Sequence, residues 1–473
     1  MYWLSLFIFS VPTVYSQIKE LKVAKKSEEI WNKQFENYLN FHTLESLMDI
    51  KTVETSENER NWLQSLDRGI KNFRHKRQIH SGSGFLRKEI RMLTLEERRR
   101  FFNALNALKN DTTVTPNMYD FIALFHTRSD IVRRSHFGPS FLGWHRIYLL
   151  RLEFALKQKD ARVSLPYWDS SIEGEMEDAT ISILWTPSFF GNAFNEVERG
   201  PFGHWTTPDG QRLRRNIGFL GSLIRRSDIE GMIVNARNHS DVVRSGFDSV
   251  TFSESTIEAE HDNVHAWVGG TMSGLLTAAF DPLFFLHHCF IDLIWEKLRE
   301  GLRQKNVDPE SDYPDTIGDQ AAGSPMYLFD FLRNIDGYSD RWTRQFYQYD
   351  NQPSCSGGTQ GCSSEYLRCA PTRSQPENVM CTSLTSNYVL DVSPRVRYKS
   401  AILDIETTVG PRFTSSTNKH VAGLFKLISP TSPLSRSEIS KLAFSILKTP
   451  NIFNSIPEKT KQQLIIRMFS MGL

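Results

Sequence analysis

Apolar residues recur at every third or fourth position in five stretches of the chain, a spacing that predicts helices. The five stretches are LRKEIRMLTLEERRRFFNALNALKN, MYDFIALFHTRSD, FLGWHRIYLLRLEFALKQ, IEAEHDNVHAWV and FFLHHCFIDLIWEKLREGL. Between the third and the fourth, over roughly residues 160–255, Gly and Pro interrupt the chain and no period is clear. The pattern therefore predicts a mainly α-helical core with long irregular loops.

The N-terminal part of the chain has a different pattern. Residues 1–16, MYWLSLFIFSVPTVYS, are apolar and end in small residues, which predicts a secretory signal peptide. Residues 17–77 are polar, with one helical stretch near EEIWNKQFENYLNFHTLESLM, and they end in the basic tetrad RHKR. This tetrad resembles a furin-type processing site, so we expect a pro-segment over 17–77. The alternative is an ordinary basic surface run.

Cysteines mark a short segment after the helical core. Four of the five cysteines lie in a stretch rich in Ser, Gly, Thr and Asn, and they predict a Cys-rich segment over residues 351–390 with two disulfides in any of three pairings. They are Cys355, Cys362, Cys369 and Cys381. A zinc site would favour closer C-x2-C pairs. Cys289 lies in an apolar helix and is expected to be a buried free thiol. Residues 391–473 form a C-terminal extension with strand-like pieces and an amphipathic end.

Charge and hydropathy narrow the classes of partner. The 56 basic and 54 acidic side chains give a net charge of +2, which argues against nucleic acid or an anionic membrane as the main partner. Apart from the N-terminus, no stretch reaches the 18 or so apolar residues of a membrane span. With the signal peptide this predicts a secreted protein. Asn110 and Asn238 stand in N-x-S/T triplets and are candidate sites for N-glycans.

Histidines cluster in the second half of the predicted core. His261 and His265 lie four residues apart, so one helical turn places both imidazoles on the same face. The next apolar helix carries His287 and His288, whose side chains point about 100° apart. We therefore expect one of the two to be a third metal ligand and the other to pack nearby. Asp292, one turn after His288, is positioned to orient a neighbouring side chain.

A second trio lies upstream, in two helices and the loop between them. His126 ends an apolar helical run, His136 lies in a loop, and His145 lies in the following helix. Any one of them alone would more often be an ordinary core histidine. Two trios of neutral nitrogen ligands, with no Cys or Met in either trio, favour copper or zinc over an iron–sulfur or blue-copper site. The lack of an obvious carboxylate ligand counts against a hydrolytic two-metal site.

These segments resemble the two copper-binding signatures of the tyrosinase family, the type-3 copper proteins. The matching patterns are H-x9-H-F-G-P-x-F-L-G-W-H-R-I-Y and H-D-N-V-H-x-W-V-G-G, the latter followed by D-P-L-F-F-L-H-H-C-F-I-D-x-I-W. The resemblance covers roughly residues 85–350, within a core expected over 78–350. The form GPSFLGWHR and the Cys cluster that follows the core look like those of secreted invertebrate tyrosinases. It implies a four-helix bundle around two copper ions that oxidises small phenols with O2.

The resemblance also implies roles for individual residues. Three histidines would bind each copper: His126, His136 and His145 the first, and His261, His265 and His288 the second, with His287 beside the site. Many relatives carry a Cys that forms a thioether with the second histidine of the first trio. No Cys lies near His136, so that bridge is absent.

Glu258 and Asp262 match a pair that, in the family, holds a water which deprotonates the phenol. Hydroxylating members often carry Asn at the second position, and Asp lacks the amide donor. Hydroxylation of monophenols and oxidation of catechols alone therefore both stay open.

Three further residues are expected near the copper pair or its entrance: Leu275, Phe285 and Asp292. The alternatives to an oxidase are a haemocyanin-like O2 carrier, a redox-silent zinc-bearing relative and a shielded zymogen. Quinone production would suit pigment formation, cuticle or shell cross-linking, or defence.

Overall fold

The computed structural model describes residues 55–72, 85–244, 256–355, 362–372 and 377–385. The predicted signal peptide, most of the predicted pro-segment with its basic tetrad, and the C-terminal extension lie outside these ranges. Within the described ranges the chain is mainly helical, as the apolar spacing predicts. The α-helices are α1 Glu57–Asn72, α2 Leu95–Asn110, α3 Met118–Ala123, α4 Ser129–Ser135, α5 Ser140–Lys159, α6 Ser170–Gly174, α7 Arg226–Asn235, α8 Ile257–Val268, α9 Leu283–Gln304 and α10 Arg341–Gln345.

Short 3-10 turns and strand pairs connect these helices. The 3-10 turns are Ile90–Met92, Leu124–His126, Ala179–Ile181, Ile183–Trp185, His239–Asp241, Gly270–Ser273, Ala278–Phe280, Gly318–Gln320 and Asn334–Tyr338. The strands are β1 Phe85–Arg87, β2 Phe194–Glu196, β3 Arg214–Asn216, β4 Pro325–Met326, β5 Phe329–Arg333, β6 Tyr347–Tyr349, β7 Leu367–Pro371 and β8 Val379–Ser383. They pair two by two: β1 with β6 in parallel, and β2 with β3, β4 with β5 and β7 with β8 antiparallel.

Two long helices, α5 and α9, form the centre of the fold. Nearly every side chain from Ser140 to Leu156 of α5 is buried, so this helix is enclosed by the rest of the core. Its buried charges are paired: Glu153 bonds to Arg87 of β1 at 2.7 Å, and Arg146 bonds to Asp292 of α9 at 2.7 Å. A buried charge is tolerated when it has such a partner. The second pair ties the two long helices together.

Helix α2 begins later than the apolar spacing alone predicts. The predicted helical stretch starts at Leu86, but that residue lies in strand β1, and the helix begins at Leu95. The reason is a capping box: the side chain of Thr94 accepts from the backbone N–H of Glu97, whose carboxylate accepts from the Thr94 N–H. This reciprocal pair satisfies two backbone donors and fixes the first residue of the helix.

Helix α1 lies within the predicted pro-segment and packs on the core. Leu66 and Ile70 are buried, and Asp67 bonds to Arg151 of α5 at 2.8 Å. The indole of Trp62 donates to the side chain of Gln158 at 2.8 Å. None of the five apolar stretches includes this helix. Its contacts join it to the same helix that carries His145.

The Cys-rich segment contains a β-hairpin and two disulfides. Cys355 pairs with Cys369 and Cys362 with Cys381, which is one of the three pairings that the sequence leaves open. Strand β7 brings Cys369 directly opposite Cys381 of β8. The prediction of two disulfides is confirmed, and so is the prediction that Cys289 is a buried free thiol.

None of the helices in the described ranges has the length and apolar character that a membrane crossing requires.

Candidate metal centre

Three histidines from different elements bring one ring nitrogen each to a common point. His126 ends the turn after α3, His136 directly follows α4, and His145 lies in the second turn of α5. Nε2 of His126 lies 3.2 Å from Nε2 of His136 and 3.4 Å from Nε2 of His145. All three side chains are buried. We call them the first histidine group.

A second group forms between α8 and α9. His261 and His265 lie one turn apart on α8, and His288 comes from the second turn of α9. Nε2 of His288 lies 3.0 Å from Nε2 of His261 and 3.3 Å from Nε2 of His265. We call these three the second histidine group.

His287 meets the same pair of histidines in a different way. Its ring stacks on His261 with the centroids 5.0 Å apart and the planes 10° from parallel, and its Nε2 lies 3.2 Å from the His261 carbonyl oxygen. Ring nitrogens of His261, His265 and His287 also lie within 4.8 Å of one another. Because the carbonyl takes the Nε2 hydrogen, only Nδ1 of His287 could bind a metal. His288, by contrast, offers the same Nε2 atom as its two neighbours.

The far ring nitrogen of most of these histidines faces a backbone carbonyl oxygen. Since a carbonyl oxygen only accepts hydrogen bonds, the hydrogen must lie on Nδ1, and Nε2 keeps a lone pair. The pairs are His126 with Leu275 at 2.9 Å, His145 with Phe141 at 2.8 Å, His136 with Ile131 at 3.3 Å and His265 with Met272 at 2.8 Å.

His261 reaches the same state through a carboxylate. Its Nδ1 donates to Oδ1 of Asp262 at 3.0 Å. Nitrogen lone pairs therefore face one another at 3.2–3.4 Å in the first group, an arrangement that a cation between them would stabilise. A donor set of neutral imidazole nitrogens fits copper or zinc. The side-chain chemistry of the site thus fits a metal ion in each group.

The histidines are also in the right protonation state for a metal. Burial lowers the pKa of every histidine in the two groups below its ordinary value, for His136 to about 4. Burial has this effect because the charged imidazolium loses its hydration. At neutral pH all six rings are therefore neutral, the form that binds metals.

Comparison with known proteins identifies the family. The model of the common central domain of tyrosinase matches residues 116–300. A tyrosinase-like protein of Pinctada maxima is 37% identical over 331 residues, which cover 65% of this chain and 72% of that protein. Tyrosinase-like protein 2 of Margaritifera margaritifera is 38% identical with the same coverage. A tyrosinase of Streptomyces antibioticus is 35% identical over 44% of this chain and 81% of its own length. The chain belongs to the tyrosinase family.

Membership of the tyrosinase family decides between the two metals that the donor set fits. Two histidine triplets in this family make a dinuclear copper site, so the cofactors are two copper ions. Family membership likewise supports a copper-dependent oxidoreductase.

The two histidine groups of this tyrosinase-family protein lie side by side. The ring of His145, from the first group, stacks on the ring of His288, from the second, with centroids 4.3 Å apart and planes 13° from parallel. Phe141 lies 4.5 Å from His145 and 4.9 Å from His261, so it touches both groups. Phe284 does the same, 4.0 Å from His288 and 4.8 Å from His126.

Phe141 and Phe284 were not among the residues that the sequence singled out. A signal was available, because each precedes a histidine on its own helix by four residues: Phe141 precedes His145, and Phe284 precedes His288. Residues at this spacing share one face of a helix. Phe285, expected near the copper pair, packs against Tyr148, Tyr119 and Phe284, and Phe284 in turn touches both histidine groups.

Glu258 is buried one turn before His261 on α8. Its Oε1 accepts a hydrogen bond from the backbone N–H of Phe137 at 2.6 Å, and Phe137 is the residue after His136. Oε2 is buried and has no hydrogen-bond partner in the described part of the chain. Burial raises the pKa of Glu258 to about 8, partly offset by Arg244, 3.9 Å away. This carboxyl group therefore links the two histidine groups.

Asp262 is half-buried on the same helix and has two partners. Oδ1 accepts from Nδ1 of His261, and Oδ2 accepts from Arg244 at 2.9 Å. Asp262 thus orients a histidine of the second group directly. Leu275 is half-buried and supplies the carbonyl oxygen that holds His126.

Asp292 lies one turn after His288 and connects the elements that surround the site. Its carboxylate accepts hydrogen bonds from Arg146, from Tyr347 at 2.6 Å and from Tyr349 at 2.7 Å. Arg146 directly follows His145. Asp292 therefore joins the two helices that carry the stacked pair His145 and His288.

Proposed function

We propose that this protein is a phenol oxidase that converts o-diphenols to o-quinones with O2. The observation that carries the proposal is the set of Nε2 lone pairs held in two adjacent buried groups by hydrogen bonds on Nδ1. A pair of copper ions bound there supplies a two-electron couple for dioxygen, with no change of ligand charge between the oxidation states.

We assign three histidine ligands to each copper. They are His126, His136 and His145 for the first ion, and His261, His265 and His288 for the second. His288 is preferred to His287 because its Nε2 faces the Nε2 atoms of both α8 histidines. His287 acts instead as a packing partner, stacked on His261 and bonded to its carbonyl oxygen.

Glu258 is assigned as the group that takes the proton of the phenol. Its Oε2 is buried and has no competing partner in the described ranges. Burial raises the pKa of Glu258, and a raised pKa makes its carboxylate a stronger base toward the phenol proton. Asp262 directs one oxygen to His261 and the other to Arg244, so its role is to orient His261. On this basis we expect o-diphenol oxidation to be faster than hydroxylation of monophenols.

The test is oxygen uptake by the copper-loaded protein with L-DOPA and, separately, with L-tyrosine. Uptake with L-DOPA that exceeds uptake with L-tyrosine supports the proposal. Equal rates would contradict the role given to Asp262. Reversible O2 binding without turnover of either phenol would identify a haemocyanin-like carrier. A chain that takes up zinc and excludes copper would identify a redox-silent relative.

The setting of this activity is also part of the proposal. We propose a secreted enzyme with a signal peptide over 1–16, a pro-segment cleaved after residue 77, a core over 78–350, the Cys-rich segment over 351–390 and an extension over 391–473. The side chain of Asn110 is exposed at the end of α2, whereas Asn238 is half-buried with its Oδ1 enclosed. Asn110 is therefore the better glycan acceptor.

A further inference from the structure

One side chain reaches into the loop that carries His136 from a distant part of the sequence. Gln320 ends the 3-10 turn Gly318–Gln320, and only 7% of it is exposed. Its amide nitrogen donates to the carbonyl oxygen of His136 at 2.7 Å and to that of Arg133 at 2.8 Å. Its amide oxygen accepts from the backbone N–H of Ser140 at 3.2 Å and from the Ser140 hydroxyl at 2.8 Å. Both hydrogens and two lone pairs of the amide are thus used.

These four bonds fall where two helices leave backbone groups without partners. Helix α4 ends at Ser135 and helix α5 begins at Ser140. The last carbonyl groups of a helix and its first N–H groups have no partner inside the helix. The amide of Gln320 satisfies carbonyls at the end of α4 and an N–H at the start of α5. It therefore caps both helices at once, on either side of His136.

The amide of Gln320 packs directly against the backbone of the loop. A Cβ atom added to Gly138 would lie 2.4 Å from Oε1 of Gln320, so a side chain at position 138 would displace the amide. The hydroxyl of Tyr313 donates to the backbone carbonyl oxygen of Gln320 at 2.7 Å, and the hydroxyl of Tyr338 donates to the backbone carbonyl oxygen of Pro139 at 2.9 Å.

Within the first histidine group, His136 has the longest hydrogen bond on Nδ1. Its Nδ1 lies 3.3 Å from the Ile131 carbonyl, whereas the corresponding distances for His126 and His145 are 2.9 and 2.8 Å. It also lies outside both α4 and α5. The hydrogen bond from Gln320 to the backbone carbonyl oxygen of His136 therefore helps to fix the position of the His136 ring.

We propose that Gln320 is a positioning residue that fixes His136 as a ligand of the first copper. This inference rests on the assignment of His136 in the proposed function. Gln320 touches neither substrate nor metal, and acts through the backbone of the His136 loop. Interactions that orient a ligand from outside commonly change metal affinity 10- to 100-fold.

The variants are Gln320→Met, which keeps the side-chain volume and removes all four bonds, and Gln320→Glu, which keeps the acceptor and removes the two donors. Asn106→Leu is the matched control. Its amide also joins separate segments, donating to the carbonyls of Phe102 and Pro201, but it lies on α2 and belongs to neither histidine group. Circular dichroism checks that each variant is folded.

The first readout is the release of copper to a chelator, followed as two phases. We expect one of the two ions to leave about tenfold faster from Gln320→Met, with the other unchanged and with both unchanged in Asn106→Leu. The second readout is amide hydrogen exchange over residues 133–140 in the metal-free chain, where Gln320→Met should exchange faster. Gln320→Glu should change both readouts in the same direction, because it retains only the bonds to Ser140.

The two readouts separate this inference from the proposed function. Unchanged release of both ions together with unchanged exchange in a folded Gln320→Met would overturn the positioning role. Equal acceleration of both ions would overturn it as well, since the role is specific to the first histidine group. An unaltered chain that binds no copper would overturn the proposed function, and exchange in the metal-free chain would then report the capping alone.

Discussion

His145 and His288 stack face to face, with ring centroids 4.3 Å apart, although they come from different helices and different histidine groups. This contact brings the two groups together without any covalent link. It depends on the relative position of α5 and α9, and that position is held by the buried pair Arg146–Asp292, whose members lie near the two stacked histidines in sequence.

The adjacent histidines of α9 give the sharpest test of the ligand assignment. We predict that His288→Gln binds one copper ion per chain and that His287→Gln still binds two, because only His288 presents Nε2 to both α8 histidines. The measurement is copper content by atomic absorption after removal of loosely bound metal. The opposite pattern, with one ion lost from His287→Gln alone, would show that the Nδ1 atom of His287 is the ligand.

Removal of the Asp292 carboxylate should destabilise the packing of α5 against α9 and so lower the free energy of unfolding. Asp292→Ala removes one of the two carboxylates that pair with buried Arg146 and the acceptor of the Tyr347 hydroxyl, while Glu296 still pairs with Arg146 and the Cys289 carbonyl still accepts from Tyr349. Removing one partner of a buried ion pair costs about 3–5 kcal/mol, and because Arg146 keeps Glu296 we expect the lower end of this range. The measurement is the free energy of unfolding from urea denaturation of the metal-free chain. Asp308→Ala, at an exposed loop carboxylate that accepts from Ser311, is the control and should lower it by less than about 1 kcal/mol. Equal effects would contradict the structural role of Asp292.

Protonation of His239 should lower the stability of the folded chain at acid pH. Burial lowers the pKa of His239, whose Nδ1 donates to Asp312 at 2.8 Å and whose Nε2 accepts from the indole of Trp295 at 2.9 Å. The unfolded chain therefore binds more protons than the folded chain, and stability falls as pH drops below about 6.5, the ordinary histidine value.

We test this with His239→Gln, which does not titrate. Melting temperatures measured from pH 8 to pH 5 should fall less steeply for the variant than for the unaltered chain, both without metal. The buried metal-site histidines contribute to the slope in both proteins, so the difference reports His239. Identical slopes would show that His239 does not contribute.

Helix α1 should stay with the core when the chain is cut after residue 77. Its buried Leu66 and Ile70 and the Asp67–Arg151 pair hold it to α5. We predict that, after cleavage at the basic tetrad, the fragment that ends there co-elutes with the core in size-exclusion chromatography. Leu66→Asp should release it, because a charge would be buried without a partner. Separation of the fragment in the unaltered protein would contradict this.

Much of the site could be read from the sequence because it depends on helical periodicity. The i, i+4 spacing of His261 and His265 and the apolar run around His145 indicate both the helices and the side that faces inward. The same periodicity would have found Phe141 and Phe284, which precede their histidines by one turn. Phe284 and Phe285 point in different directions because they are neighbours on a helix, and it is Phe284 whose ring contacts both histidine groups.

Contacts between distant segments could not be read in this way. Gln320 lies more than 180 residues after the loop it caps, and nothing in the sequence around it resembles a functional motif. Helix α1 itself follows from the four-residue spacing of Trp62, Leu66 and Ile70, but its contacts with α5 do not. The pairing of Cys355 with Cys369 and of Cys362 with Cys381 likewise depends on how this segment folds, which four cysteines alone do not determine.

The central claim is that two copper ions, one in each histidine group, together carry out the oxidation of an o-diphenol. The most direct measurement is oxygen uptake with L-DOPA while copper is added stepwise to the metal-free chain. We predict that activity rises with the square of copper occupancy and stops rising at two ions per chain, because a chain with one ion lacks half of the two-electron couple. Full activity at one ion per chain, or no uptake from a chain that holds two, would contradict the account.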